Sequence, residues 1–202
     1  MKRQDSLFSL IMSPMESSGN SYLLLRNLLL ASRDPFATET KILDIQHILE
    51  TSTSFSGMNH LVLAESYLNP NSFPFEVSYG KALAQAKEAL REGNRRSYYV
   101  LFELYLLGKD ERRARGALDA ACFYQDTQAL VRRAYFEKEG LLYERNRKKA
   151  WEDFLLAAKK GSRDGFFGLQ LMKSEDGDYE EAKKIYQEGQ KRGMRLIGAL
   201  VG

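Results

Sequence analysis

An alanine followed eleven residues later by a glycine recurs at a regular interval after residue 80. The pairs are Ala82 and Gly93, Ala150 and Gly161, and Ala182 and Gly193. A fourth copy begins at Ala114 and has Gln125 at the glycine position. The four alanines lie 32, 36 and 32 residues apart, and periods of this size with helical patterning indicate stacked helix pairs.

A second set of glycines supports the same period. Gly108, Gly140 and Gly177 follow Gly93, Gln125 and Gly161 by 15, 15 and 16 residues. Apolar helical segments lie between these marks, and glycine ends helices because it accepts a left-handed backbone conformation. Each unit is therefore predicted to be a helix A, a glycine, a loop, a helix B, and then a glycine or polar residue.

The alanines have a packing role in this prediction. Two helices approach closely only where no bulky side chain stands between them, so Ala82, Ala114, Ala150 and Ala182 are expected to mark the crossing of helix B with its neighbour. Further along helix B, Phe154 and Tyr186 are expected to fill the space toward the next unit.

Composition agrees with an all-α chain. Of 202 residues, 44% are hydrophobic, 28% are charged and only four are proline, a balance that favours packed helices. The predicted organisation is a flexible leader over 1–20, an atypical helix hairpin over 21–53, repeats over 54–93, 94–125, 126–161 and 162–193, and a half-repeat or cap over 194–202.

The best-patterned unit resembles a known repeat. Its string Lys149-Ala150, Phe154, Ala157-Ala158 and Gly161 is similar to helix B of the Sel-one-like repeat, a relative of the tetratricopeptide repeat. The string Leu63-Ala64-x-x-Tyr67 resembles helix A of the same family, and the resemblance covers 58–193. The chain departs from the pattern at Phe102, Arg133, Glu137 and Gln125.

The resemblance implies a right-handed α-α superhelix of about five helix hairpins with a concave groove that binds a partner. Family members are typically adaptors in assembly or signalling complexes, and they are often bacterial. The helix A faces line such grooves in this superfamily. Phasing on Leu101, Arg133 and Leu169 assigns the partner-binding residues Arg96, Tyr99, Glu103, Gln128, Tyr135, Lys138, Asp164 and Phe167. An alternative is that Tyr99, Tyr135 and Phe167 belong to the core between repeats.

Residues for catalysis are scarce. His47 and His60 are the two histidines, and neither has a cysteine or carboxylate at metal-ligand spacing in the sequence. Cys122, the single cysteine, lies in an apolar, alanine-rich segment that favours a buried structural thiol. No phosphate-binding or nucleophile motif occurs. We therefore expect no catalytic site, metal or cofactor, and no enzyme activity.

The charge pattern bears on the class of partner. Residues 1–80 carry a net charge of −3 and residues 81–202 a net charge of +6. Basic doublets recur in the second part, but acidic residues accompany them on both helices of each unit. The expected partner is a protein or peptide. A nucleic-acid-binding helical repeat is an alternative that these mixed charges disfavour.

The N-terminal region leaves a third function open. Residues 1–20 are serine-rich, and the apolar runs there and at 22–31 are too short to span a bilayer. The chain is expected to be cytoplasmic. The serine-rich leader also fits a secretion-system chaperone or a secreted effector built on the same repeats. Association of copies through the ends of the array is a further expectation.

Overall fold

The computed structural model describes residues 57–68 and 77–192, and these residues form eight α-helices and no strand. The helices are α1 Met58–Leu68, α2 Tyr79–Arg91, α3 Ser97–Leu107, α4 Glu111–Phe123, α5 Thr127–Glu139, α6 Arg147–Lys159, α7 Arg163–Glu175 and α8 Tyr179–Lys191. The all-α prediction is confirmed. The predicted segments 1–20, 21–53 and 194–202 lie outside the described residues, and the boundaries between repeats stay a prediction.

The chain divides into two compact units, Met1–Asn94 and Arg95–Gly202. In the first unit, α1 packs against α2. In the second unit, α3 packs on α4, α5 on α6 and α7 on α8, and each hairpin also contacts the next through α4 with α5 and α6 with α7. The described helices therefore form consecutive pairs of a helix A and a helix B, as the repeat predicts.

Polar side chains fix the start of most helices. Asp126 accepts hydrogen bonds from the backbone N–H groups of Gln128 and Ala129 at 2.9 and 3.0 Å. Side chains at the starts of α2, α4, α6, α7 and α8 accept equivalent bonds, and these residues are Ser78, Asp110, Asn146, Ser162 and Asp178. Such caps satisfy N–H groups that have no partner within the helix.

The left-handed residues after the helices differ from the prediction at one place. Gly161 and Gly177 have positive φ, and Gln125 takes the same conformation with φ 57°. Gly108 was expected to do so too, but its φ is −75° and Lys109 adopts the left-handed φ of 58° instead. The reason is the position at which the helix ends. Helix α3 ends at Leu107, and the left-handed residue stands two positions after the last helical one, as it does at Gln125.

The four repeat alanines have the burial that a position at a helix crossing requires. Ala82, Ala114, Ala150 and Ala182 are all fully buried or nearly so. Phe154 is completely buried in the second unit, and Tyr186 packs against the same cluster. Helix α7 approaches Phe154 so closely that a Cβ atom on Gly168 would lie 2.3 Å from the phenyl ring. Small residues on α7 as well as on helix B therefore set the distance between these helices.

Arg133 departs from the apolar residue usual at its position, and the structure shows how its charge is accommodated. Its guanidinium donates to both carboxylate oxygens of Asp153 on α6, at 2.7 and 2.9 Å. A longer contact of 3.4 Å reaches Asp119 on α4, which also accepts a hydrogen bond from the Tyr143 hydroxyl. This network ties α4, α5 and α6 together.

Candidate functional site

The eight predicted partner-binding residues lie on or beside the three A helices of the second unit, α3, α5 and α7. We call their common surface, together with Arg132 and Glu175, the A face. Arg96, Gln128 and Asp164 are exposed, Tyr99, Glu103, Tyr135 and Phe167 are half-buried, and Lys138 is buried. The three tyrosine and phenylalanine rings therefore lie between core and solvent, and neither alternative drawn from the sequence describes them completely.

Tyr99 and Glu103 of α3 form a cluster with Arg132 of α5. Burial raises the pKa of the Tyr99 hydroxyl, the charge of Glu103 adds to this, and a hydrogen bond with Arg132 offsets part of it. Burial likewise raises the pKa of Glu103, against the opposing charge of Arg132 and a hydrogen bond with Tyr99. The Tyr99 ring also packs against Phe102, with centroids 5.6 Å apart. A core ring thus carries a polar end at the surface.

Tyr135, three residues after Arg132 on α5, is also a half-buried ring with its hydroxyl near charged groups. Its ring meets Phe154 edge-on, with centroids 4.9 Å apart, which anchors the ring in the core. Burial raises the pKa of its hydroxyl, and the nearby charge of Asp164 on α7 raises it further. Asp164 on α7 is therefore near enough to Tyr135 on α5 for its charge to act on the hydroxyl.

Lys138 is paired more completely than the sequence suggested. Its ammonium group contacts Glu139 and donates to Glu175 on α7 at 2.7 Å. Arg147 binds the other oxygen of Glu175 at 3.0 Å. Burial alone would lower the pKa of Lys138, but the hydrogen bonds with Glu139 and Glu175 raise it overall. Lys138 is therefore an internal cation that holds α5 to α7, with little of it offered to a partner.

Arg96 and Gln128 line one surface cavity of about 530 Å³ at the start of α5. Tyr124 also lines it, and Arg95 lies over the Tyr124 ring at 4.8 Å from the centroid. The Tyr98 ring stacks on the Tyr124 ring, with centroids 5.6 Å apart. The cavity is thus bordered by an aromatic stack and two arginines. Phe167 lies half-buried on α7.

Two residues of the A face were missed by the sequence prediction. Arg132 follows Gln128 by four residues and precedes Tyr135 by three, so it lies on the same stripe of α5. Glu175 lies eleven residues after Asp164, again close to the helical period. The helical spacing of both residues is visible in the sequence.

In several basic doublets of the described residues, one member pairs with an acid. Arg133 pairs with Asp153, Lys184 with Glu181, and Arg113 with Asp110. Cys122 is buried, and burial raises the pKa of its thiol to about 12, which suits a structural residue.

The absence of a carboxylate partner for His60, expected from the sequence, is wrong. In the first unit, His60 of α1 faces Glu88 and Glu92 at the end of α2, and one ligand atom from each lies within 4.8 Å of the others. The clue was present in the sequence: Glu88 and Glu92 are four residues apart and share a helix face. Their approach to His60 depends on the packing of α1 against α2.

Comparison with known proteins rests on structure. No protein-family model matches the sequence, and no curated protein gives a significant match. The fold is similar to that of a protective antigen present in uropathogenic Escherichia coli strains, described as displaying an SLR fold, with a TM-score of 0.60 and 19% identity over 76% of this chain. It is also similar to a Sel1 repeat protein from Oxalobacter formigenes, with a TM-score of 0.58 and 16% identity over 95% of this chain.

The chain has the Sel1-like repeat fold. This confirms the resemblance seen in the sequence and the α-α solenoid class. The aligned regions make up 33% of the Escherichia coli chain and 62% of the Oxalobacter chain. The eight helices described in this Sel1-like fold are 11 or 13 residues long. None of them is long and apolar enough to cross a membrane.

Proposed function

We propose that this chain is a protein-interaction scaffold that binds a protein or peptide partner on the A face of its second unit, and that it is not an enzyme. The observation that carries the proposal is the pair of half-buried tyrosines, Tyr99 and Tyr135. Each ring is fixed by packing, on Phe102 and Phe154 respectively, while its hydroxyl lies among charged groups. Fixed aromatic rings with a polar end provide contact area at a low entropic cost.

The charges on the A face favour a protein over a nucleic acid. Arg132 is next to Glu103, and Lys138 and Arg147 share Glu175, so cations and anions alternate across the helices. A nucleic acid requires a cationic surface that follows its phosphates. A polypeptide instead offers both signs of charge and apolar groups, which match this surface.

The first experiment is capture of partners from the native cell lysate, with crosslinking and mass spectrometry. The expected result is one dominant protein crosslinked to residues of α3, α5 and α7. Recovery of nucleic acid, or crosslinks only to helices α4, α6 and α8, would contradict the proposal.

Matched variants then test the surface without touching the core. The exposed residues Arg96, Gln128 and Asp164 are replaced together by alanine, and we expect at least a tenfold loss of partner affinity. The control replaces an exposed arginine, glutamine and acid on the B helices, namely Arg112, Gln187 and Glu180. Equal losses for the two triple variants would show that the A face is not the binding surface.

The tyrosines need a milder change, because their rings are part of the core. Tyr99→Phe with Tyr135→Phe keeps both rings and removes both hydroxyls, so helicity by circular dichroism should stay at the wild-type value while affinity falls. Unchanged affinity with unchanged helicity would assign these tyrosines to the core alone.

Secretion-system chaperone or effector activity depends on residues 1–20, outside the described part of the chain, and stays a prediction, as does a cytoplasmic location.

A further inference from the structure

The His60, Glu88 and Glu92 cluster of the first unit has the donor set of a transition-metal site. It supplies one imidazole nitrogen and two carboxylates, with ligand atoms within 4.8 Å of one another. Two helices hold it in place. A Cβ atom on Gly57 would lie 2.4 Å from the Ala89 carbonyl oxygen, so the start of α1 meets the end of α2 at the closest approach that glycine permits.

The ring of His60 is oriented toward the carboxylates. Its Nδ1 atom is 2.5 Å from the side-chain oxygen of Gln85, an acceptor, so the tautomer with the proton on Nδ1 fits this contact. In that tautomer Nε2 is the nitrogen that can bind a metal, and it lies 3.6 Å from Oε1 of Glu92. Metal-binding histidines usually donate their second N–H in this way, which fixes the tautomer and the ring plane.

The electrostatics of the cluster call for a cation. Glu88 and Glu92 lie at the C-terminal end of α2, where the helix dipole disfavours negative charge. Among the described residues, nothing donates a hydrogen bond to the buried Oε2 atom of Glu92. Glu88 is held by Arg91, whose side chain is largely exposed. Exposed ion pairs of this kind are weak, so a metal ion can replace Arg91 at Glu88.

From this arrangement we infer that His60, Glu88 and Glu92 bind one Zn²⁺ ion and thereby clamp α1 to α2. Nitrogen together with carboxylate donors suits zinc, whereas Ca²⁺ and Mg²⁺ take oxygen donors. Zinc about 2.1 Å from each donor places the donors about 3.4 Å apart. His60 and Glu92 are already near that separation, and a side-chain rotation of Glu88 completes the set.

The test is calorimetric titration of the full chain with ZnCl₂ after removal of metal by a chelator. The expected result is one equivalent bound, with affinity at least tenfold lower in each of His60→Asn, Glu88→Gln and Glu92→Gln. Gln85→Ala should lower affinity about ten- to a hundredfold, because it orients the imidazole without binding the metal. His47→Asn and Glu180→Gln are the matched histidine and acid controls, and both should bind like the wild type.

A second readout separates the site from adventitious binding. Zinc should raise the melting temperature of the wild type and of His47→Asn, but not that of Glu92→Gln, and circular dichroism without metal checks that each variant is folded. Absence of binding, or binding that survives all three ligand substitutions, would overturn the inference. So would loss of binding in His47→Asn. None of these results depends on partner capture by the A face.

Discussion

The ion pair between Arg133 and Asp153 gives the sharpest test of how this chain departs from its repeat pattern. Arg133 makes two charge-assisted hydrogen bonds to Asp153, and only 24% and 12% of the two side chains are exposed. Arg133→Met keeps an apolar stem of similar length but leaves the buried Asp153 carboxylate without its guanidinium. Breaking a buried pair costs about 3 to 5 kcal/mol.

The lower end of that range applies because a quarter of the Arg133 side chain remains in contact with water. We expect Arg133→Met to lower the free energy of unfolding by about 3 kcal/mol, which corresponds to a melting temperature roughly 6 to 12 °C lower for a chain of this size. The assay is urea unfolding followed by circular dichroism.

The double variant Arg133→Met with Asp153→Leu distinguishes the cause. Replacing both partners of a buried pair by apolar residues is often neutral, so the double variant should lie within about 1 kcal/mol of the wild type. Arg163→Met removes an exposed arginine 3.7 Å from Asp164 and should cost less than about 0.5 kcal/mol. A double variant as unstable as the two single variants added together would refute the reasoning.

Two further predictions concern close packing and a buried acid. Gly168→Ala should destabilise the fold by about 2 kcal/mol, because the new Cβ meets the fully buried Phe154 ring. Gly116→Ala, with nothing within 4 Å of its Cβ position in α4, should stabilise by about 0.5 to 1 kcal/mol, and the same sign for both would contradict the packing argument. Burial raises the pKa of Glu137, so folding favours its protonated form and the wild type loses stability as pH rises through that raised pKa. In urea unfolding, the stability of Glu137→Gln relative to the wild type should therefore increase as pH rises above the ordinary glutamate pKa of about 4.3. A relative gain as pH falls instead would show the opposite shift.

The helices and their order could be predicted because the signals are local. An alanine at a helix crossing, an aspartate or serine at a helix start, and a left-handed residue after a helix end each act within a few residues. The exact residue at which each helix ends could not be predicted from the glycine spacing. The equal spacing of Gly108 with the other glycines suggested a left-handed residue there, yet α3 ends so that Lys109 takes that conformation.

The candidate site was predictable only in part, because its chemistry depends on contacts between helices. The A-face stripe followed from helical periodicity, whereas the burial and pairing of Lys138 depend on Glu175, 37 residues further along the chain. In the sequence Arg133 only departs from the apolar pattern, because its partner Asp153 lies twenty residues further along the chain. The sequence does not reveal the acidic neighbours of His60, because Glu88 and Glu92 reach it only when α1 and α2 pack.

The stepwise packing of α3 to α8 has a mechanical consequence. Its main contacts join helices that are adjacent in the chain, or one helix apart as with α5 and α7. Because each hairpin is held mainly by its neighbours, a hairpin with one neighbour loses less contact when it is pulled open than a hairpin between two. A released unit of about 32 residues extends by roughly 110 Å. Such an array lengthens in steps, one hairpin at a time, while the remaining hairpins stay packed.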